Sequence, residues 1–259
     1  MTSHIRVHAE DGILRITFDR AEKKNAFTNA MYAAMSDALL KAESDPQIRV
    51  VMFDAEGDTF TAGNDIADFA AIAAGKLRRD ELNVHRFLEL LARAQKPYIA
   101  AVQGLAVGIG TTMLLHCDLV YVAEDARLST PFVNLALVPE AASSLLMPAR
   151  LGHARAFAMF ALGEAVDGRT AAALGLANAA VPAADVRAHA IAVAKSLAQR
   201  PAGAVQATKR LMRDAQLLAD VMTRESDVFA ERLRTAEASE AFSAFAERRA
   251  PDFSRIAGR

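Results

Sequence analysis

The chain has 259 residues, a formal net charge of −1 and 24% charged residues. That length allows one large domain, or a domain with an appendage, and a core that needs no covalent staples. The charge balance gives no electrostatic case for nucleic acid or a membrane surface, and the lone Cys117 excludes an intramolecular disulfide.

The opening residues, MTSHIRVHAEDG, contain no apolar signal core, so a soluble cytoplasmic protein is expected. Residues 5–7 and 13–18 read as two strands across an Asp11–Gly12 turn. Residues 20–24 form a polar loop. Thr28 is the candidate N-cap of a helix running to about residue 43, with Met31, Met35, Ala38, Leu39 and Ala42 on one face. Residues 48–53 are a Val-rich buried strand. A helix is expected to start near Asp65, a polar loop to span 75–80 and a further helix to span 81–94.

Residues 97–118, PYIAAVQGLAVGIGTTMLLHCD, organise the rest. With His116 neutral they hold no charge before Asp118. The run is long enough to raise a membrane span, but Gln103, three glycines and two threonines argue against one. Residues 98–103 read as a buried strand, Gly104, Gly108 and Gly110 as a punctuated turn, and residues 111–116 as a helix start. Two readings fit. One is a buried βα unit whose glycines serve tight packing. The other is a turn whose free N–H groups meet developing negative charge. On this stretch alone the first carries more weight.

Downstream, residues 119–122 read as a strand and 128–131 as extended. Residues 139–151 read as a helix interrupted at Pro148. Helices over 152–162 and 166–176 and a strand over 177–181 complete an α/β part. Helices over 184–199, 201–218, 220–233 and 236–249 then follow without strands. The organisation is an α/β core over 1–181 and an all-helical region over 182–259, with no fixed-period repeat.

Three stretches can carry chemistry. In FTAGNDI, Gly63 sits where an extended piece meets a helix start, which makes the N–H of Asn64 an orphan donor. In GIG, the N–H of Ile109 stands at a helix N-terminus. Two such donors converging on one oxygen make an oxyanion hole. In LSTPFVNLALVPEAASSLL, Glu140 is the only charged residue between Arg127 and Arg150. By itself it reads most simply as a partner of a helix dipole; the sharper reading is a base whose pKa is lifted by apolar neighbours such as Phe132, Leu135, Leu137 and Leu146. GIGTTM lacks the third glycine of a dinucleotide fingerprint. No G-x-S-x-G surrounds Ser143 or Ser144, and the six histidines show no metal-binding spacing.

FDAEGDTFTAGNDIADF, AVQGLAVGIGTTMLLHCDLVYVAEDA and TPFVNLALVPEAASS, with NAF at 25–27, VDGRTAAALGLANAAVP and EAFSAFAERRAPDF, closely resemble the enoyl-CoA hydratase/isomerase (crotonase) superfamily in order and spacing. The resemblance implies a crotonase-like ββα spiral core with a C-terminal helical trimerisation region, assembled as a trimer or dimer of trimers. It implies an acyl-CoA thioester substrate that brings its own coenzyme A, with no further cofactor and no metal. It places the oxyanion-hole donors at the N–H groups of Asn64 and Ile109. Substrate and CoA contacts fall on Lys23, Ala62, Gly63, Asp65, Ile66, Ala67, Gly108 and Phe132, with Lys24, Arg248 and Arg249 as further candidates for the phosphates. Hydratases of the family carry two glutamates; the corresponding positions here are Thr112 and Phe132. The pattern is instead similar to the peroxisomal-type Δ3,Δ2-enoyl-CoA isomerase branch, whose base falls on Glu140. Ala141 and Ala142 stand where many relatives are glycine-rich. Hydration, or acyl-CoA binding without catalysis, are the alternatives.

Overall fold

The computed structural model describes residues 4–65, 68 and 81–256. The chain opens with a hairpin of β1 (Ile5–Glu10) and β2 (Ile13–Phe18). Glu10 pairs with Ile13, and Asp11 and Gly12 between them both have positive φ, 52° and 76°. That handedness matches the twist of the flanking strands. Helix α1 (Asn29–Ser44) is capped by Thr28, whose hydroxyl accepts from the Met31 N–H at 3.3 Å. The next strand, β3, is Val50–Ala55, two residues later than the apolar run suggests. The Gly12 carbonyl accepts from the N–H groups of Arg49 and Val50, so pairing with β2 begins at Ile13 opposite Val50.

Helix α2 (Asn83–Arg93) leads to β4 (Tyr98–Val102) and β5 (Leu105–Val107). Residues 105–107 therefore form a strand inside what the glycines mark as a turn. Helix α3 (Ile109–Thr112) passes into a 3-10 turn, Met113–His116. Strands β6 (Leu119–Ala123) and β7 (Arg127–Ser129) follow, then α4 (Ser143–Leu151) and α5 (His153–Phe157). A π turn, Ala158–Leu162, then leads to β8 (Val166–Asp167), α6 (Gly168–Ala173) and β9 (Ala179–Val181).

The larger sheet has the order β1-β2-β3-β4-β6-β9, parallel apart from the hairpin; the smaller has the order β5-β7-β8. The β4–β5 and β6–β7 passes each place one strand in either sheet before turning into helix. The β3 pass reaches the small sheet through a single bridge, Thr61 to Ala106. These are turns of a spiral. Their large-sheet strands start at residues 50, 98 and 119, so unequal spacing hides the repeat from the sequence.

The C-terminal helices are α7 (Val186–Ala198), α8 (Ala202–Met212), α9 (Ala215–Arg232) and α10 (Ala236–Ala246). The break expected near residue 219 lies at 213–214, because Asp214 caps α9 by accepting from the Leu217 N–H at 2.9 Å. Helix α7 lies on β3, β4 and β6, while α9 packs on α2 and α4. Val186, Ala190, Leu218 and Val221 thereby join the same apolar core as the strands. Burial pushes the Cys117 thiol up to about 12, which makes it an inert core residue. No described helix is long and apolar enough to cross a membrane.

Candidate active site

The β5–α3 turn and the segment after Thr61 are stitched together. Thr61 donates its N–H to the Leu105 carbonyl at 3.0 Å and accepts from the Val107 N–H at 3.1 Å. Asn64 and Ile109 are each the third residue beyond the bridged pair Thr61 and Ala106. Two glycines permit this closeness. A Cβ on Gly63, whose φ is +90°, would lie 2.8 Å from the Val107 carbonyl oxygen, and one on Gly110 would lie 2.4 Å from the Thr61 methyl.

A second seam fixes which way the Asn64 backbone faces. Phe27 donates to the Gly63 carbonyl at 2.8 Å and accepts from the Asp65 N–H at 2.9 Å. The N–H of Asn64 between them points the other way, as alternation in an extended strand requires. Across the site, Gly108 (φ 57°) donates to Ser129, and its carbonyl takes the N–H groups of Thr111 and Thr112. The N–H of Ile109 is the first of the helix. Neither Asn64 nor Ile109 places its backbone N–H on an acceptor among the described residues.

Glu140 lies just before α4, inside the stretch 139–151 whose sequence reads as helix. Residues 139–142 are instead a corner in which Ala141 and Ala142 both adopt left-handed φ, 62° and 54°. So the backbone shape that glycine favours is made here by two alanines, at a cost of about 1–2 kcal/mol each. Three contacts hold the corner. His116 Nε2 bonds the Ala141 carbonyl at 2.7 Å, and Glu225 of α9 accepts from the N–H groups of Ala142 (2.6 Å) and Ser144 (2.8 Å). His116 is buried and also meets Arg213 through Nδ1. Burial, then the Arg213 charge, lower its pKa to about 3, which keeps it neutral. Glu225 thus fills the role at the start of α4 that the sequence suggests for Glu140.

The Glu140 side chain turns to Thr112, whose hydroxyl donates to Oε1 at 3.2 Å. Burial raises the Glu140 pKa to about 8; the Thr112 bond opposes the rise, and the Glu225 charge adds to it. Tyr32 of α1 completes this side. Its hydroxyl donates to Asn64 Oδ1, and its own pKa is pushed well up by burial and then by the Glu140 and Asp68 charges. Tyr32, Thr112, His116 and Glu225 carry no motif. Thr112 stood out in the sequence only for the glutamate it replaces.

The other site candidates fall as follows. Lys23 is exposed in a 3-10 turn, Ala21–Lys23, beside the seam in which Ala62 donates to the Lys24 carbonyl at 2.9 Å. Asp65 is paired with Arg20 at 2.6 Å, a structural tie rather than a free carboxylate. Phe132 is buried with its ring 6.2 Å from that of Phe160, and Leu137 is buried in the same core, with Leu135 and Leu146 packed against it. Arg249 is engaged by Glu240 and Glu247. Ile66 and Ala67, the helix expected near Asp65 and the polar loop over 75–80 lie outside the described residues.

The family model described as enoyl-CoA hydratase/isomerase matches residues 8–255. The chain belongs to the enoyl-CoA hydratase/isomerase family. Within this family it is 34% identical over 212 residues to rat enoyl-CoA delta isomerase 2, covering 81% of this chain and 54% of that one, so it spans about half that relative's length. It is 30% identical to 1,2-epoxyphenylacetyl-CoA isomerase of Escherichia coli K12, over 98% of this chain and 99% of the relative. The crystal structure of an enoyl-CoA hydratase/isomerase from Pseudoalteromonas atlantica T6c superposes with a TM-score of 0.91 at 39% identity, covering 96% of this chain and 99% of that one. Members of the enoyl-CoA hydratase/isomerase family are enzymes acting on acyl-CoA thioesters, and the family's spiral fold is the one described above.

Proposed function

We propose that the protein is a Δ3,Δ2-enoyl-CoA isomerase in which Glu140 is the only acid/base and the N–H groups of Asn64 and Ile109 form the oxyanion hole. The observation that carries this reading is the pairing of Glu140 with Thr112. A hydratase needs groups to hold and protonate a water as well as to activate it. Here the neighbour across from the candidate base is a hydroxyl. The second carboxylate nearby, Glu225, is occupied by two backbone N–H groups.

Double-bond migration asks less. Glu140 takes a proton from C2 of the thioester, the C3–C4 double bond shifts to C2–C3, and the same carboxyl returns the proton to C4. Between the two transfers the thioester oxygen carries the charge of an enolate. Donors that meet that charge stabilise the transition state more than the ground-state carbonyl. Losing one of them costs about 3 kcal/mol in barrier. A carboxyl with a pKa near 8 is matched to taking and giving a proton near neutral pH. Proton transfer by one carboxyl calls for no redox group, so the proposal assigns no cofactor beyond the substrate's coenzyme A.

Two absorbance assays test this. One offers a 3-enoyl-CoA and follows the conjugated thioester appearing; the other offers a trans-2-enoyl-CoA and follows it disappearing. The proposal expects activity in the first and none in the second. In Glu140→Gln the first activity falls roughly 10²–10⁴-fold with acyl-CoA binding kept. Loss of trans-2-enoyl-CoA would assign hydration, and undiminished turnover in the Gln variant would remove Glu140 from the chemistry.

A further inference from the structure

Glu225 lies 83 residues beyond Ala142 and sits on α9, yet its carboxylate is buried against the start of α4. Its two oxygens accept from two N–H groups of one corner, at 2.6 and 2.8 Å. Those N–H groups flank Ser143, whose own N–H is turned back to the Glu140 carbonyl at 3.1 Å. From the other side His116 takes the Ala141 carbonyl. The corner so gripped is the left-handed Ala141–Ala142 pair. Alanine does not hold that conformation unaided.

Resting on Glu140 as the base, we infer that Glu225 is a positioning residue of the reaction: it grips the Ala142 and Ser144 N–H groups, sets the corner that presents Glu140, and keeps a negative charge beside it. Two effects follow from one side chain. The grip fixes where the Glu140 carboxyl stands relative to Thr112 and the two hole donors. The charge makes ionisation of Glu140 harder, in the same sense as its burial.

The titratable groups around Glu140 are few among the described residues. Glu225 faces it from α9, and Tyr32, whose phenol stays protonated, faces it from α1. His116, held neutral, stands behind the Ala141 carbonyl, and Arg224 faces Glu225 itself. The carboxylate of Glu225 is therefore the neighbour whose removal changes the charge felt by Glu140. Glutamine in its place keeps the shape but sets an amide N–H against one of the two backbone N–H groups. Aspartate keeps the charge but is too short to reach both.

The test compares Glu225→Gln, Glu225→Asp and Glu140→Gln in the 3-enoyl-CoA assay, with melting curves to show that each is folded. In Glu225→Gln, kcat falls about 10-fold or more with KM little changed, and the acidic limb of kcat/KM moves to lower pH, because a like charge is gone. In Glu225→Asp, kcat falls while the limb stays, and that variant decides the matter if Glu225→Gln does not fold. A Glu225→Gln enzyme with an unmoved limb and full kcat, or a fully active Glu225→Asp, overturns the role of Glu225 while leaving Glu140 as the base. Undiminished turnover in Glu140→Gln overturns both.

Discussion

A carboxyl that must take a proton from carbon near neutral pH has to be kept from ionising as readily as it does in water. At Glu140 burial does most of this, the Glu225 charge adds to it, and the Thr112 hydroxyl acts in the opposite sense by bonding the ionised form. Thr112→Val isolates that last contribution. With Glu140 as the proposed base, the acidic limb of kcat/KM is expected near pH 8 and should move to higher pH in the variant, because the carboxylate loses the hydrogen bond that favours it. Below the limb the base is protonated, so at pH 7 the variant should be slower than the parent, while above pH 9 the two converge. A limb that stays in place or moves down would show that Thr112 does not donate to the reacting carboxyl. The sequence offered Glu140 and the Thr112 substitution side by side, but not their hydrogen bond, since 28 residues separate them.

The elements show what local pattern can and cannot reveal. The hairpin at Asp11–Gly12 was legible because two residues with positive φ have a narrow sequence signature. The unbonded N–H of Ile109 was legible because glycine marks where strand gives way to a helix start; that of Asn64 is turned outward by the Phe27 seam, a long-range pairing that local pattern does not show. Strand β5 was not, since three residues are too few to show alternation. Helix α4 starts four residues later than the local pattern suggests, because alanine does not itself mark a left-handed pair; the only signal at Ala141 and Ala142 is the glycine that many relatives carry there. The break before α9 had a signal, Asp214, that the continuous apolar periodicity masked. At this scale Gly63 is the test of how the two donor turns meet. Gly63→Ala puts a methyl 2.8 Å from the Val107 carbonyl at a φ that alanine avoids. The seam must part, costing about 1–3 kcal/mol in stability. The kcat should fall about 10²-fold as the donors separate. A melting curve and a kcat equal to the parent's would refute the seam as the element that aligns them.

For the molecule as a whole, the helical C-terminal region belongs to the same core as the spiral, with Val186, Ala190, Leu218 and Val221 packed among strand residues. It also leaves large apolar side chains uncovered. Leu211 is 89% exposed and Met212 82%, and Leu217 and Val228 are nearly half exposed. Exposed apolar side chains of this size favour burial between chains where they adjoin. A homotrimer or dimer of trimers is the assembly we propose for it. Light scattering at micromolar concentration should give three or six times the chain mass of 27.7 kDa. Replacing Leu211 and Met212 together by Ser should shift that mass downward. A monomer before any substitution would leave these side chains without a partner of their own kind.

The grip of Glu225 on the Ala142 and Ser144 N–H groups has a consequence for the order of synthesis. Asn64, Ile109 and Glu140 all leave the ribosome well before the side chain that completes the corner, which comes 83 residues after Ala142. At ordinary elongation rates that interval is roughly 4 to 17 s. During it the nascent chain carries Glu140, the proposed base, and both proposed oxyanion donors, yet lacks the Glu225 grip on the corner that presents Glu140. Catalytic competence is then a late event of translation, reached only when the final helices fold back.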